Sequence, residues 1–122
     1  MRDRTRRMTE LEGFFVKKRK AEEALQVLMR FFNFKKAEIS LYGLLLKSPL
    51  TIKEIQERMK VSERSIRKYL KKLEEEGFIV KRVVQGKRLK YVYQSVHLEE
   101  AWNKLDHRIR KTLSDFAEAI AK

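Results

Sequence analysis

The chain contains no cysteine, which excludes disulfide staples and thiolate metal sites. Glycine is scarce, and the four that occur are isolated, so there is no glycine-rich phosphate loop. Histidine is scarcer still. His97 and His107 stand ten residues apart, too far for one helical turn and without a carboxylate partner at ligand spacing, so they make no metal site. No apolar run approaches the ~18 residues that span a bilayer, and the leading MRDRTRRMTELEG lacks the apolar centre of a signal peptide. Catalysis finds no support: Glu74, Glu75 and Glu76 form a run at a helix end, not an acid/base pair in a pocket. The expectation is a soluble cytoplasmic protein that is not an enzyme and carries no metal or cofactor.

Acid is the other shortage. Seventeen Asp and Glu face thirty Lys and Arg, for a formal charge of +13 in 122 residues. A chain this small and this basic seeks polyanions, nucleic acid before anionic membrane. The excess is confined to two blocks. Residues 1–36 carry 11 basic and 5 acidic side chains, residues 60–96 carry 11 and 4, and the remaining segments balance. Hydrophobic residues make up 43%, which is ordinary for a folded domain and argues against global disorder.

Five segments read as helices, with a hairpin between the fourth and fifth. After a basic arm over residues 1–8, the first helix spans 9–34, opened by the TELE capping box of Thr9 and Glu12. KAEISLYGLLLKS follows and ends at Pro49. TIKEIQERM is opened by a second capping box, Thr51 with Glu54. A tight KVS turn leads into SERSIRKYLKKLEEEG, with Ser62 as N-cap, Val61 and Ile66 as a hydrophobic staple, and Gly77 as the C′ residue. The β-branched and aromatic runs FIVKRVV and LKYVYQSV then flank QGKR, whose Gly86 suits a hairpin turn. A final helix over 97–122 strings Leu98, Trp102, Leu105, Ile109, Leu113, Phe116 and Ile120 along one stripe. The expected fold is mainly α with a small β-hairpin: a single domain whose winged helix-turn-helix, residues 35–96, is flanked by long N- and C-terminal helices.

The Ser62–Gly77 segment carries its charges against the helix dipole, which favours acid at the N-terminus and base at the C-terminus. Here Arg64, Arg67, Lys68, Lys71 and Lys72 lead, and the glutamates trail. Ile66, Leu70 and Leu73 cluster on one side, and Arg64, Lys68 and Lys71 lie opposite. The reversed polarity costs a few tenths of a kcal/mol per residue, while burying each of the three apolar side chains returns roughly 1.5–3 kcal/mol. The helix therefore forms, but its own stability does not explain the charge order. Phosphate at its leading end does. The candidate double-stranded-DNA contacts are Ser62, Arg64, Ser65, Arg67, Lys68 and Lys71 on this helix, with Arg82, Gln85, Lys87, Arg88 and Lys90 on the hairpin.

Residues 32–96 resemble the winged helix-turn-helix of archaeal TrmB-like and MarR-like transcription regulators. The resemblance rests on FKKAEISLYGLL, with Phe34, Glu38, Tyr42, Leu44 and Leu45, and then on SPLTIKEIQERMKVSERSIRKYLKKLEEEGFI. It covers just over half of the chain and marks the fold rather than the operator. It implies that Ser62, Arg64, Ser65, Arg67 and Lys68 occupy recognition-helix positions and that Lys87 and Arg88 sit at the wing tip. Full-length TrmB-type regulators carry a C-terminal sugar-binding domain, and the departure expected here is a short form without it.

The stripe on the last helix is too apolar for a solvent-facing tail. It folds back on the first helix or pairs with a second chain, and two-fold reading of DNA half-sites favours pairing. The expected homodimer surface comprises Leu25, Leu28, Phe32, Leu98, Trp102, Leu105, Ile109, Leu113, Phe116 and Ile120. The leading functional expectation is a sequence-specific, homodimeric transcription regulator associated with the nucleoid. The alternative is an architectural protein that coats duplex DNA with little sequence preference.

Overall fold

A computed structural model of the protein describes residue 17 and residues 19–121. The predicted TELE cap and the basic arm lie outside the described residues. Helix α1 runs over 19–31. It is followed by α2 (Lys36–Lys47), α3 (Ile52–Met59), α4 (Glu63–Glu75), β1 (Ile79–Val84), β2 (Lys90–Ser95) and α5 (Leu98–Ala121). The architecture is the predicted one, a winged helix-turn-helix with a helix on either side.

Local chemistry sets most boundaries. The first helix stops three residues earlier than predicted because Asn33 adopts a left-handed φ of 67°. That conformation lets Phe34 N–H reach Met29 O (3.0 Å) and Asn33 N–H reach Arg30 O (3.0 Å), which satisfies the last carbonyls of α1. Gly77, with φ of 80°, ends α4 the same way, through Phe78 N–H to Leu73 O (2.8 Å) and Gly77 N–H to Glu74 O (3.0 Å). Lys60 (φ 56°) makes the tight turn between α3 and α4. The hairpin turns around Gly86 as QGKR suggested, although Gly86 has no positive φ. Val84 pairs with Lys90, and residues 85–89 form a longer loop.

The Thr51–Glu54 box forms as predicted: Thr51 N–H donates to Glu54 Oε1 (3.0 Å), and Glu54 N–H donates to Thr51 Oγ1 (3.2 Å). The hydrogen bonds from Thr51 hold the Glu54 carboxyl below its ordinary value of 4.5. A lowered folded-state pKa contributes stability above that ordinary value, and the contribution disappears as pH falls through the folded value. Thr51→Ala is therefore expected to cost about 1 kcal/mol. Glu54→Gln should destabilise at neutral pH but not in acid below the carboxylate range. Urea denaturation across a pH series checks both, and a Glu54→Gln deficit that persists unchanged into acid would contradict this assignment.

One core joins every element. Leu25 and Met29 of α1, Leu41, Tyr42 and Leu45 of α2, Ile55 of α3, Ile66, Leu70 and Leu73 of α4, and Leu105 of α5 are all buried. Phe78 closes the centre, edge-to-face against Phe34 (5.1 Å) and Tyr42 (6.0 Å). The base of the hairpin is pinned to α2 by polar contacts. Tyr42 Oη donates to Val96 O (3.1 Å), and Ser95 Oγ donates to Tyr42 O (2.7 Å). Burial, with Glu100 and Glu22 nearby, pushes the Tyr42 phenol well above its ordinary pKa, so it remains a donor. Leu50 adds a single antiparallel bridge to Tyr93 (3.0 and 2.8 Å). The ribbon therefore emerges from a fixed base.

Candidate nucleic-acid interface

Helix α4 is presented by its neighbours rather than by its own propensity. Ile66, Leu70 and Leu73 are sealed in the core, which forces the opposite face outward. Arg64, Lys68 and Lys71 are accordingly exposed, the ridge expected from the helical wheel. The other candidates on α4 stand differently. Ser62 is the N-cap: its Oγ accepts from Ser65 N–H (3.2 Å) and donates to Ser65 Oγ (3.0 Å). Both hydroxyls are thus tied to the cap, and Ser65 is half-buried. Arg67 is exposed, but its Nε (3.2 Å) and Nη2 (2.8 Å) both donate to Glu63 Oε1. Two of its five N–H donors are already occupied along the helix.

The trailing glutamates have a partner that the sequence pattern did not reveal. Glu76 Oε2 accepts from Arg108 Nη1 of α5 (3.1 Å). The same guanidinium stacks on the Phe32 ring at 4.3 Å. The Lys104 side chain lies over Gly77, where an added Cβ would meet its Nζ at 2.9 Å. Lys72 is half-buried with its ammonium over the Phe34 ring (5.2 Å). The acidic end of α4 therefore docks against α5, and the basic end faces solvent.

On the hairpin, Arg82, Gln85, Lys87, Arg88 and Lys90 are all exposed. Val84, Gly86, Lys87, Arg88 and Lys90 line a cleft of about 360 Å³. Tyr93 packs into the body, but Tyr91, two residues earlier on the same strand face, is 51% exposed. Its ring carries the Lys81 ammonium at 4.2 Å. The register pairs Tyr91 with Val83 near the distal end of the ribbon, beyond the reach of the core.

The expected dimer surface divides. Leu25 and Leu105 are corrections: at 1% and 0% exposure they belong to the chain's own core, because α1 and the first half of α5 pack on the same body. Leu28, Phe32 and Leu98 are partly buried against that core, and Ile109 is half-buried. Trp102, Leu113, Phe116 and Ile120 are exposed, the last three at 62%, 65% and 68%. From Arg110 to the end of α5 every side chain is exposed. Val27 (64%) and Phe31 (69%) on α1 are also exposed. The sequence reading missed them, although their i,i+4 spacing, offset from the Leu25–Leu28–Phe32 stripe, is a second apolar line on that helix.

Comparison with known proteins decides the family. The family model described as "Sugar-specific transcriptional regulator TrmB" matches residues 28–99, more than half of the chain. The chain belongs to the TrmB family. TrmB proteins are DNA-binding transcription regulators, which agrees with the resemblance read from the sequence. Among solved structures, the TrmB chain is similar to a possible transcriptional regulator from Methanosarcina mazei Go1 (13% identity, 78% of this chain and 83% of that one, TM-score 0.69). It is also similar to a protein from the thermoacidophilic archaeon Sulfolobus tokodaii (23% identity, 77% and 97%, TM-score 0.63). A third similarity is to the reduced form of the transcriptional regulator YodB of B. subtilis (20% identity, 80% and 92%, TM-score 0.53). At these identities the likeness is one of fold. No curated protein matches the chain. Among the described residues, no helix is long and apolar enough to cross a membrane.

Proposed function

We propose that this TrmB-family chain is a sequence-specific regulator of double-stranded DNA that works as a homodimer, with α4 in the major groove and the hairpin on backbone or minor groove. The observation that carries this reading is the division of α4. Its apolar face is sealed in the core, Glu76 at its acidic end is held by Arg108, and Arg64, Lys68 and Lys71 project together from the opposite face. A groove lined by phosphates is complementary to that surface.

Dimerisation is supported by the far end of α5. Leu113, Phe116 and Ile120 recur at i, i+3 and i+7 on a helix end that leaves the body of the chain. A second copy of the same helix is the partner that two-fold symmetry provides, and it would set two recognition helices on successive half-sites. In this reading residues 35–96 are the DNA-binding part, the flanking helices assemble the dimer, and the protein works in the cytoplasm on the nucleoid.

Footprinting on genomic fragments at ~150 mM salt tests the reading. Discrete protection around a pseudo-palindrome is the expected result. Uniform coating with no preferred position would instead establish the architectural alternative.

A further inference from the structure

The hairpin carries more than positive charge. No acidic residue occurs between Glu76 and Glu99, so the ribbon is cationic without compensation. Its distal half also exposes large apolar side chains that a solvated hairpin would bury or replace: Val83 (55%), Val84 (47%), Tyr91 (51%) and Leu89 (66%). Leu89 is the most exposed of them. It sits in the 85–89 loop directly between Arg88 and Lys90, beside the cleft lined by Val84, Lys87 and Arg88. Exposed apolar side chains grouped near one end of a cationic ribbon mark a binding surface. The cations around it make the occupant an anion with an apolar interior open to insertion. Duplex DNA fits both requirements: phosphates flank the minor groove, and base steps accept aliphatic wedges that unstack and kink them.

We infer that Leu89 is a wedge that the wing inserts into a base step of the minor groove, bending the DNA while Lys87, Arg88 and Lys90 hold the flanking phosphates. This rests on the DNA-binding reading above and adds to it a mode of recognition. A wedge favours steps that unstack cheaply, such as TA and CA/TG, and disfavours stiff A-tracts. The wing thereby contributes sequence preference through deformability rather than through base-edge hydrogen bonds.

The test uses the full chain and end-labelled duplexes of about 30 base pairs, one with a central TA step and one with a central A-tract. Energy transfer between the ends reports bending, and a titration at ~50 mM salt reports affinity. The wild-type chain is expected to shorten the TA duplex and to prefer it over the A-tract. Leu89→Ser should at least halve the bend and abolish the preference while leaving the salt dependence of binding unchanged, because every cation remains. Leu89→Met, which keeps an aliphatic wedge, should restore the bend. Lys87→Ala should do the reverse, reducing the salt slope by about one while the bend persists. Binding with a bend that Leu89→Ser does not alter overturns the wedge and leaves the DNA-binding reading intact. Failure of the wild-type chain to bind any duplex overturns both. Leu89-dependent binding to anionic phospholipid vesicles, with no Leu89-dependent bend, would assign the tip to a membrane surface instead.

Discussion

Replacing Arg64 and Lys68 together with alanine is expected to weaken binding to the protected DNA on the order of a hundredfold or more. A good side-chain contact to a base edge contributes about 1–3 kcal/mol of discrimination, and about 1.4 kcal/mol is a tenfold change in affinity. Both side chains project from the exposed face of α4, so the fold should be unaffected, within about 0.5 kcal/mol. The single variants should also differ in kind. A side chain that reads bases relaxes specificity at one position of the site, whereas one that holds phosphate weakens all sequences alike and lowers the salt slope. Titrations of each variant against the protected site and a scrambled site, with thermal melts alongside, make the comparison. Unchanged affinity in the double variant would remove α4 from the groove.

The second large effect concerns assembly. Leu113→Asp combined with Phe116→Asp is expected to convert the proposed dimer to a 14.7 kDa monomer without lowering the melting temperature of the chain itself, because both side chains lie outside its core. Loss of the partner removes the second recognition helix from the same DNA molecule. Tethering two binding modules typically raises avidity by about 10²–10⁴, so operator affinity should fall by a comparable factor, while non-specific binding per protomer stays nearly unchanged. Analytical ultracentrifugation and a binding titration on the same samples decide the matter. A wild-type chain that sediments as a stable monomer at micromolar concentration would exclude the dimer.

Arg67 shows why a charge count overstates an interface. It belongs to the same cationic helix as Arg64 and Lys68, but Glu63 one turn earlier holds both Nε and Nη2. An exposed i,i+4 pair of this kind contributes only a few tenths of a kcal/mol, so DNA can displace it at little cost. The pair nevertheless offsets the Arg67 charge on that side of the ridge. Lys72 is withdrawn further, with its ammonium over Phe34. The cationic surface that α4 leaves free is narrower than the sequence suggested and centred on Arg64, Lys68 and Lys71.

The sequence by itself determined the elements whose stabilisation is local. The Thr51–Glu54 box, the Ser62 cap and the Gly77 terminator are each decided within a few residues, where the chain's own hydrogen-bonding groups meet their partners. The same holds for the amphipathic split of α4, because helical period alone separates Ile66, Leu70 and Leu73 from Arg64, Lys68 and Lys71. Tertiary structure decided which apolar residues face inward. Leu105 shares a stripe with Leu113 and Phe116, and Leu25 one with Leu28 and Phe32, in any helical reading, but only the packing of α1 and α5 on one body separates core from free surface. It also decided where the trailing acid of α4 finds a partner. Glu76, with like company at Glu74 and Glu75, is held by Arg108, a cation 32 residues away in sequence. No local rule pairs residues at that separation, because their proximity exists only once the chain has folded.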